Sequence, residues 1–227
     1  MLWKPSVFSL AISAIALCAP LNSAFAGVEE EPHADIYVWA EGAQLRTASW
    51  DHGTDQVIDP SARVFSADLG EDPDFPFAID EPGIGSNLVG ATLNMYLNGG
   101  MSRWTGNGLG SSDHVLSISY GGQSANTIDS GFISFLVMDD LDLHPDYSLA
   151  GSQSSVDPDP GIYVATFRFE AEGFDPSAPL WVVFNLGSDE ADHDAAIEWV
   201  QANLVPAPGV LSLLALMGAR SGRRRRA

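Results

Sequence analysis

Residues 163–170 read YVATFRFE, residues 180–186 read LWVVFNL, and together they decide the fold class. In the first stretch apolar side chains alternate with more polar ones, the period-two pattern of a β-strand with one buried face. The second stretch is apolar almost throughout, like residues 132–138, as expected for central strands of a packed sandwich. Further alternating stretches, separated by turns rich in Gly, Pro, Asn and Asp, cover residues 36–40, 89–97 and 116–120. The sequence therefore predicts an all-β body of the β-sandwich or jelly-roll type.

One segment near the end of the body departs from this period. Residues 189–203 read DEADHDAAIEWVQAN, with the apolar residues spaced as on one face of a helix and acidic residues crowding the first turns. Carboxylates are favourable at a helix N-terminus because of the helix dipole. We therefore expect one C-terminal helix, with its apolar face formed by Ala196, Ile197, Val200 and Leu204.

Charge divides the chain into three segments. The 227 residues carry 30 acidic and 10 basic side chains, a net charge of -20. All of the acidic residues lie within residues 27–204, which hold only four arginines and so carry a net charge of -26. A nucleic-acid-binding protein needs a basic surface, so we expect no nucleic-acid partner. The predicted segments are residues 1–26, a single acidic domain over residues 27–204, and residues 205–227.

The N-terminal segment has the pattern of a secretory signal peptide. Lys4 supplies a positive charge, and residues 7–17 form an apolar run too short to span a bilayer. Ala24 and Ala26 place small residues at the positions that signal peptidase prefers, which predicts cleavage before Gly27 and export through the general secretion machinery. The one cysteine, Cys18, would leave with this peptide, so the mature chain has no disulfide.

The C-terminal segment combines three sorting elements in order. Pro206, Ala207 and Pro208 form an extended stretch, residues 210–219 form a short apolar run, and a basic cluster ends the chain. The cluster consists of Arg223, Arg224, Arg225 and Arg226. This tail resembles the PEP-CTERM sorting signal of exosortase substrates, with Ala207 where that family usually has Glu. The resemblance implies a short transmembrane segment with transient anchoring in the inner membrane, exosortase processing near the Pro-Ala-Pro, and delivery to the cell surface or extracellular matrix.

The acidic body offers little catalytic chemistry. It has no Gly-x-Ser-x-Gly elbow, phosphate loop, His-Glu-x-x-His motif or EF-hand loop. Many carboxylates lie close in sequence, but so acidic a chain produces such pairs by coincidence. We therefore expect a non-enzymatic protein.

The histidines suggest a divalent cation. Each of the five histidines has a carboxylate within two residues, and for His193 these are Asp192 and Asp194. His33 and Asp35 lie two apart at the start of the first strand, so they share one face. Imidazole and carboxylate together bind zinc or manganese, whereas oxygen-rich acidic loops bind calcium. Solvated surface histidines and solubilising acidic loops explain the same pattern without any metal. The candidate acidic loops are residues 68–74, 139–146 and 157–159.

A second resemblance bears on the metal. The opening His-Ala-Asp-Ile of residues 33–36, the Asp-Glu-Pro-Gly of residues 80–83 and the stretch 161–169 resemble bacterial surface-anchored domains that begin His-x-Asp. Some of those proteins are associated with zinc or manganese supply. The resemblance implies that His33, Asp35 and His193 are metal ligands.

The alternative function is a carbohydrate- or exopolysaccharide-binding module. Tyr37 and Trp39 share a strand face, and Trp50 or Trp104 in nearby loops could add rings that stack on sugars. Aromatic residues of this kind also fill sandwich cores, so both interpretations stand on the sequence.

Overall fold

The computed structural model describes residues 34–139, 141–152 and 155–206. Within these ranges the chain forms fifteen strands and one helix, which confirms the predicted all-β body with a C-terminal helix. In chain order the elements are β1 (Asp35–Glu41), β2 (Gln44–Asp51), β3 (Gln56–Asp59), β4 (Val64–Asp68), β5 (Ala78–Ile79), β6 (Ile84–Ser86), β7 (Thr92–Trp104), β8 (Leu109–Ser112), β9 (Val115–Tyr120), β10 (Gln123–Asn126), β11 (Gly131–Leu136), β12 (Leu141–Leu143), β13 (Asp146–Ala150), β14 (Gly161–Ala171), β15 (Leu180–Leu186) and α1 (Glu190–Asn203).

Hydrogen bonding groups the strands of the described residues into three sheets. The large sheet has the order β11-β7-β14-β15-β4, with β8 paired to β7. The second sheet has the order β12-β6-β1-β2-β3, and the third has the order β10-β9-β13-β5. In the large sheet β15 runs antiparallel to β14 and parallel to β4. The strand predicted to be central is therefore flanked on both sides.

The main hydrophobic core receives side chains from all three sheets. One set of alternating side chains on β14 points into it, as the period of residues 163–170 predicts. The second sheet contributes side chains of β1 and the third contributes side chains of β9. This β-rich arrangement around a shared core fits the expected sandwich. The fully buried members from these strands include Tyr163, Ala165, Phe167, Phe169, Ile36, Val38, Leu116 and Ile118.

A second hydrophobic cluster lies between the large sheet and α1. The side chains of β14 and β15 that point away from the main core pack there against Ala196 and Val200 of the helix. Ile197 and Leu204 are partly buried in the same cluster, so the predicted helix face is confirmed. Because one face of β15 meets the core and the other meets α1, all seven residues of β15 are buried. This double burial explains why residues 180–186 are apolar throughout.

Three sequence expectations about local structure were wrong. Residues 132–136 belong to β11, which is an edge strand of the large sheet, and residues 137–138 follow it. Phe132, Leu136 and Met138 are exposed. The helix covers β15 and β4 rather than this end of the sheet, so the outer face of β11 stays open to solvent. Trp50 and Trp104 lie at strand ends instead of in loops.

Candidate metal centre

The strand β4 carries Asp68 to the side of the large sheet that faces α1. Val64 packs in the cluster under the helix, and Asp68 lies four residues later on the same strand face. Asp68 pairs in register with Asn185 of β15, whose Nδ2 donates a 2.9 Å hydrogen bond to Asp68 Oδ1. The buried Asn185 also accepts a hydrogen bond from the Ser188 backbone N–H at 2.9 Å. One amide side chain therefore orients the carboxylate and fixes the turn that leads into α1.

The first turn of α1 brings His193 under the helix beside this carboxylate. The imidazole is only 1% exposed, and its Nε2 lies 3.1 Å from the Val183 carbonyl oxygen. A carbonyl can only accept, so Nε2 carries the hydrogen and donates it. In the neutral ring Nδ1 then presents a lone pair, and this atom has no hydrogen-bond partner among the residues that the structure describes. Histidine ligands of metals show the same arrangement, with one nitrogen fixed by a carbonyl and the other free to bind.

The free nitrogen faces two carboxylates across a gap. His193 Nδ1 lies 3.9 Å from Asp68 Oδ1 and 4.0 Å from Glu190 Oε2. Both distances are too long for hydrogen bonds. The three ligand atoms all lie within 4.8 Å of one another. That spacing leaves room for one ion with bonds of roughly 2.0–2.5 Å, the range of zinc to calcium ligands.

The mixed nitrogen and oxygen ligands favour zinc or manganese over calcium. One imidazole nitrogen and two carboxylate oxygens match zinc or manganese, whereas calcium prefers oxygen ligands throughout. Glu190 is 72% exposed, so an ion held here would keep positions open to water. The acidic residues of the first helical turn add a negative field that attracts cations.

The structure brings only one of the three predicted metal ligands into this group. His193 is a member, whereas Asp35 does not belong to it within the described ranges. His33 lies outside the described residues. The sequence neighbours Asp192 and Asp194 are exposed and outside the group, because residues adjacent to His193 on a helix point away from its face.

Sequence reasoning grouped neither Asp68 nor Glu190 with His193, and it placed Asp68 only at the start of a candidate calcium-binding loop. Glu190 precedes His193 by three residues, and on a helix this spacing places two side chains on one face. That signal was available once the helix had been predicted. Asp68 is 125 positions before His193, and only the parallel pairing of β4 with β15 joins them.

Asp35 belongs instead to a separate acidic network with Glu81 and His144. The backbone N–H of Gly83 donates 2.8 Å hydrogen bonds to Asp35 Oδ1 and to Glu81 Oε2. Burial, followed by the nearby charge of Glu81, raises the pKa of Asp35 to about 7. A hydrogen bond with Glu81 outweighs burial and raises the pKa of His144 to about 10. Burial alone would raise the pKa of Glu81, but hydrogen bonds from His144, Asp35 and Gly83 lower it overall.

The other described histidines have partners of their own. His144 Nε2 lies 2.9 Å from Asp142 Oδ1, and His52 Nε2 lies 3.3 Å from Asp142 Oδ2. His114 is buried beside the Tyr163 hydroxyl, with its Nε2 3.3 Å from that oxygen. These contacts make His114 a packed core histidine rather than a solvated one.

Most residues of the predicted signal-cleavage and sorting sites lie outside the described part of the chain. These are Ala24, Ala26, Ala207, Pro208, Arg223, Arg224, Arg225 and Arg226. Pro206 is described and is exposed. Among the described residues, no helix is both long enough and apolar enough to cross a bilayer.

The comparisons with known proteins gave no match. No family model matches the chain, and no curated protein or solved structure matches it. The chemistry of His193 and its two carboxylates is therefore what supports a functional proposal.

Proposed function

We propose that the chain is an exported, non-enzymatic protein of the cell surface or extracellular matrix that binds a divalent metal ion. Asp68, Glu190 and His193 are the ligands, on a body of the β-sandwich type. The observation that carries the proposal is the buried His193 Nδ1, which faces two carboxylates and has no partner among the described residues. A buried acceptor without a partner is costly, and a bound cation removes that cost.

Zinc or manganese is the preferred ion. Calcium sites use oxygen ligands and not imidazole nitrogen, whereas zinc and manganese both accept mixed nitrogen and oxygen ligands. A bridging water is the competing occupant, because water also satisfies buried polar atoms at this spacing. If water occupied the gap, added metal would not change the stability of the protein. The two occupants can therefore be distinguished.

Export and sorting form the second half of the proposal. Residues 1–26 act as a signal peptide, and residues 205–227 act as a tail recognised by an exosortase at the inner membrane. The order of Pro206-Ala207-Pro208, an apolar run and four arginines supports this. The acidity of residues 27–204 suits a protein that stays soluble outside the cell.

A thermal unfolding series on the full-length protein tests metal binding. Free Zn²⁺ or Mn²⁺ at 100 times the Kd should stabilise the fold by about 2.7 kcal/mol. For a chain of this size that raises the Tm by roughly 5–10 °C. The His193→Gln variant should show no metal-dependent rise, and EDTA should reverse the rise in the wild type. A wild-type Tm that does not respond to either ion contradicts the proposal.

A further inference from the structure

An open cleft lies on the outer side of the second sheet. It has a volume of about 560 Å³, within the roughly 300–1,000 Å³ range of small-molecule sites. Tyr37 of β1 and Trp50 of β2 form one part of its lining. The other side is lined by Ser86, Asn87, Val89, Asp139 and Leu141. The cleft shares no residue with the candidate metal centre.

Aromatic rings form the floor of the cleft. Trp50 lies against Gly85, where an added Cβ atom would sit only 2.5 Å from Trp50 Cζ3. The ring centroid of Tyr37 lies 5.6 Å from that of Trp50, and His52 meets Trp50 edge-on at 5.1 Å. Trp50 is almost fully buried, while Tyr37 is only half-buried. Of these two rings, Tyr37 is therefore the one that a ligand can reach.

The charged groups of the cleft are acidic. Asp55 and Asp139 line it and are exposed, and its lining contains neither lysine nor arginine. Burial raises the pKa of Tyr37, and the negative charge of Asp55 adds to this effect. His52, the remaining titratable group of the lining, is paired with Asp142. A positively charged ligand is therefore favoured in this cleft, and a negatively charged one is disfavoured.

Neutral polar groups complete the lining. The exposed Asn87 offers an amide that can exchange hydrogen bonds with ligand hydroxyl groups. Ser86 is mostly buried, and its hydroxyl oxygen already accepts a 3.2 Å hydrogen bond from the Leu88 N–H. The exposed Val89 adds an apolar surface. An aromatic ring, an apolar patch, neutral hydrogen-bonding groups and carboxylates together match a sugar ring that carries an amine.

We propose that this cleft binds amino-sugar units of a polysaccharide. A pyranose ring lies against Tyr37, its ammonium group pairs with Asp55 and Asp139, and its hydroxyls hydrogen-bond to Asn87. The proposal assigns the carbohydrate-binding alternative to this cleft and to positively charged sugars. Trp39 and Trp104 are not part of the lining. Trp104 packs instead against Trp199 of α1, with ring centroids 6.0 Å apart.

Binding of oligosaccharides to the full-length protein in EDTA separates this site from the metal centre. The probe is a glucosamine hexamer, compared with the N-acetylglucosamine hexamer and a hexalysine peptide. The glucosamine hexamer should bind at least about ten-fold more tightly than either, because only it combines the sugar ring with the charge. Equal binding of the acetylated hexamer overturns the proposed role of the carboxylates. Equal binding of hexalysine overturns the sugar specificity.

Two variants locate the binding. Asp55→Asn should weaken glucosamine hexamer binding about ten-fold through loss of a charged hydrogen bond. Asp55 has a φ of 52°, which asparagine tolerates, so the turn should be kept. Tyr37→Ala should weaken binding about five-fold or more through loss of stacking and cation–π contact. The matched controls are Asp74→Asn and Tyr120→Ala, exposed residues outside the cleft, which should leave affinity unchanged. Equal affinity of Asp55→Asn and Asp74→Asn means non-specific attraction to an acidic surface and overturns the proposal.

Discussion

His193 Nδ1 and Asp68 Oδ1 lie 3.9 Å apart, close enough to share one ion and too far apart to share a hydrogen. The neighbours of both atoms fix this spacing. The Val183 carbonyl accepts a hydrogen bond from His193 Nε2, and Asn185 Nδ2 donates one to the Asp68 carboxylate. Both of these residues belong to β15, so this interior strand of the large sheet sets the width of the gap.

Asn185 is expected to act as a positioning residue for the metal centre. Asn185→Ala removes its hydrogen bonds to Asp68 and to the turn at Ser188. Because the residue is buried, we expect a loss of about 1–3 kcal/mol in the free energy of unfolding. Metal affinity should fall about ten-fold, since the carboxylate is no longer oriented. Chemical denaturation and metal titration check the two effects.

The control for this variant is Asn203→Ala at the exposed end of α1. Asn203 makes a 2.8 Å hydrogen bond to the Trp199 carbonyl but is not near the group of metal ligands. We expect a change below about 0.5 kcal/mol in stability and no change in metal affinity. Equal losses of affinity in both variants would show that Asn185 has no positioning role.

The acidic network around Asp35 predicts a stability that declines as the pH rises. The pKa of Asp35 is about 7 in the folded protein against an ordinary value of 3.8, so the folded state holds this proton more tightly. Its contribution is complete below about pH 4 and is lost as the pH rises through 7. His144 acts in the same direction between its ordinary value of 6.5 and about 10. The upper limit is about 1.4 kcal/mol per pH unit for each group.

Asp35→Asn tests the lower part of this pH window. The variant removes the carboxyl that becomes charged, so the free energy of unfolding should vary less between pH 4 and 7 than in the wild type. Denaturant unfolding at several pH values measures both slopes. Parallel curves for the two proteins would mean that Asp35 does not titrate in this window.

The burial of two phenylalanines distinguishes the central strand of the large sheet from its edge strand. Phe167 on β14 is fully buried, whereas Phe132 on β11 is 44% exposed. Phe167→Ala should cost about 3–5 kcal/mol of folding stability. Phe132→Ala should cost less than about 1.5 kcal/mol, because much of its ring already contacts solvent. Similar losses in both variants would mean that β11 is covered on both faces.

The arginine cluster should decide where the exported protein is retained. Replacing Arg223, Arg224, Arg225 and Arg226 with alanine removes the positive charges that hold the tail on the cytoplasmic side. We expect the variant to bypass inner-membrane anchoring and exosortase processing, whereas replacing Arg46 and Arg63 of the body should not. Cell fractionation and the mass of the mature chain report both steps. Normal retention and processing of the tail variant would contradict the sorting proposal.

The periodicity of the sequence predicted where the strands and the helix form better than it predicted which elements lie next to one another. Alternation at residues 163–170 and helical spacing at residues 189–203 are local patterns, and both elements formed where expected. The edge position of β11 depends on which strands pair, which no local pattern records. The same limit applies to the metal centre. His193 stood out as a candidate ligand, but its partner Asp68 comes from a strand joined to it only through β15.

Isothermal titration of Zn²⁺ and Mn²⁺ into the metal-free full-length protein tests the central proposal most directly. We predict one bound ion per chain, with affinity reduced more than about ten-fold in Glu190→Gln and in Asp68→Asn. Asp194→Asn, which removes an exposed carboxylate of the same helix outside the group, should bind as the wild type does. Equal affinities in all four proteins, or no heat of binding in the wild type, would contradict a metal site at His193.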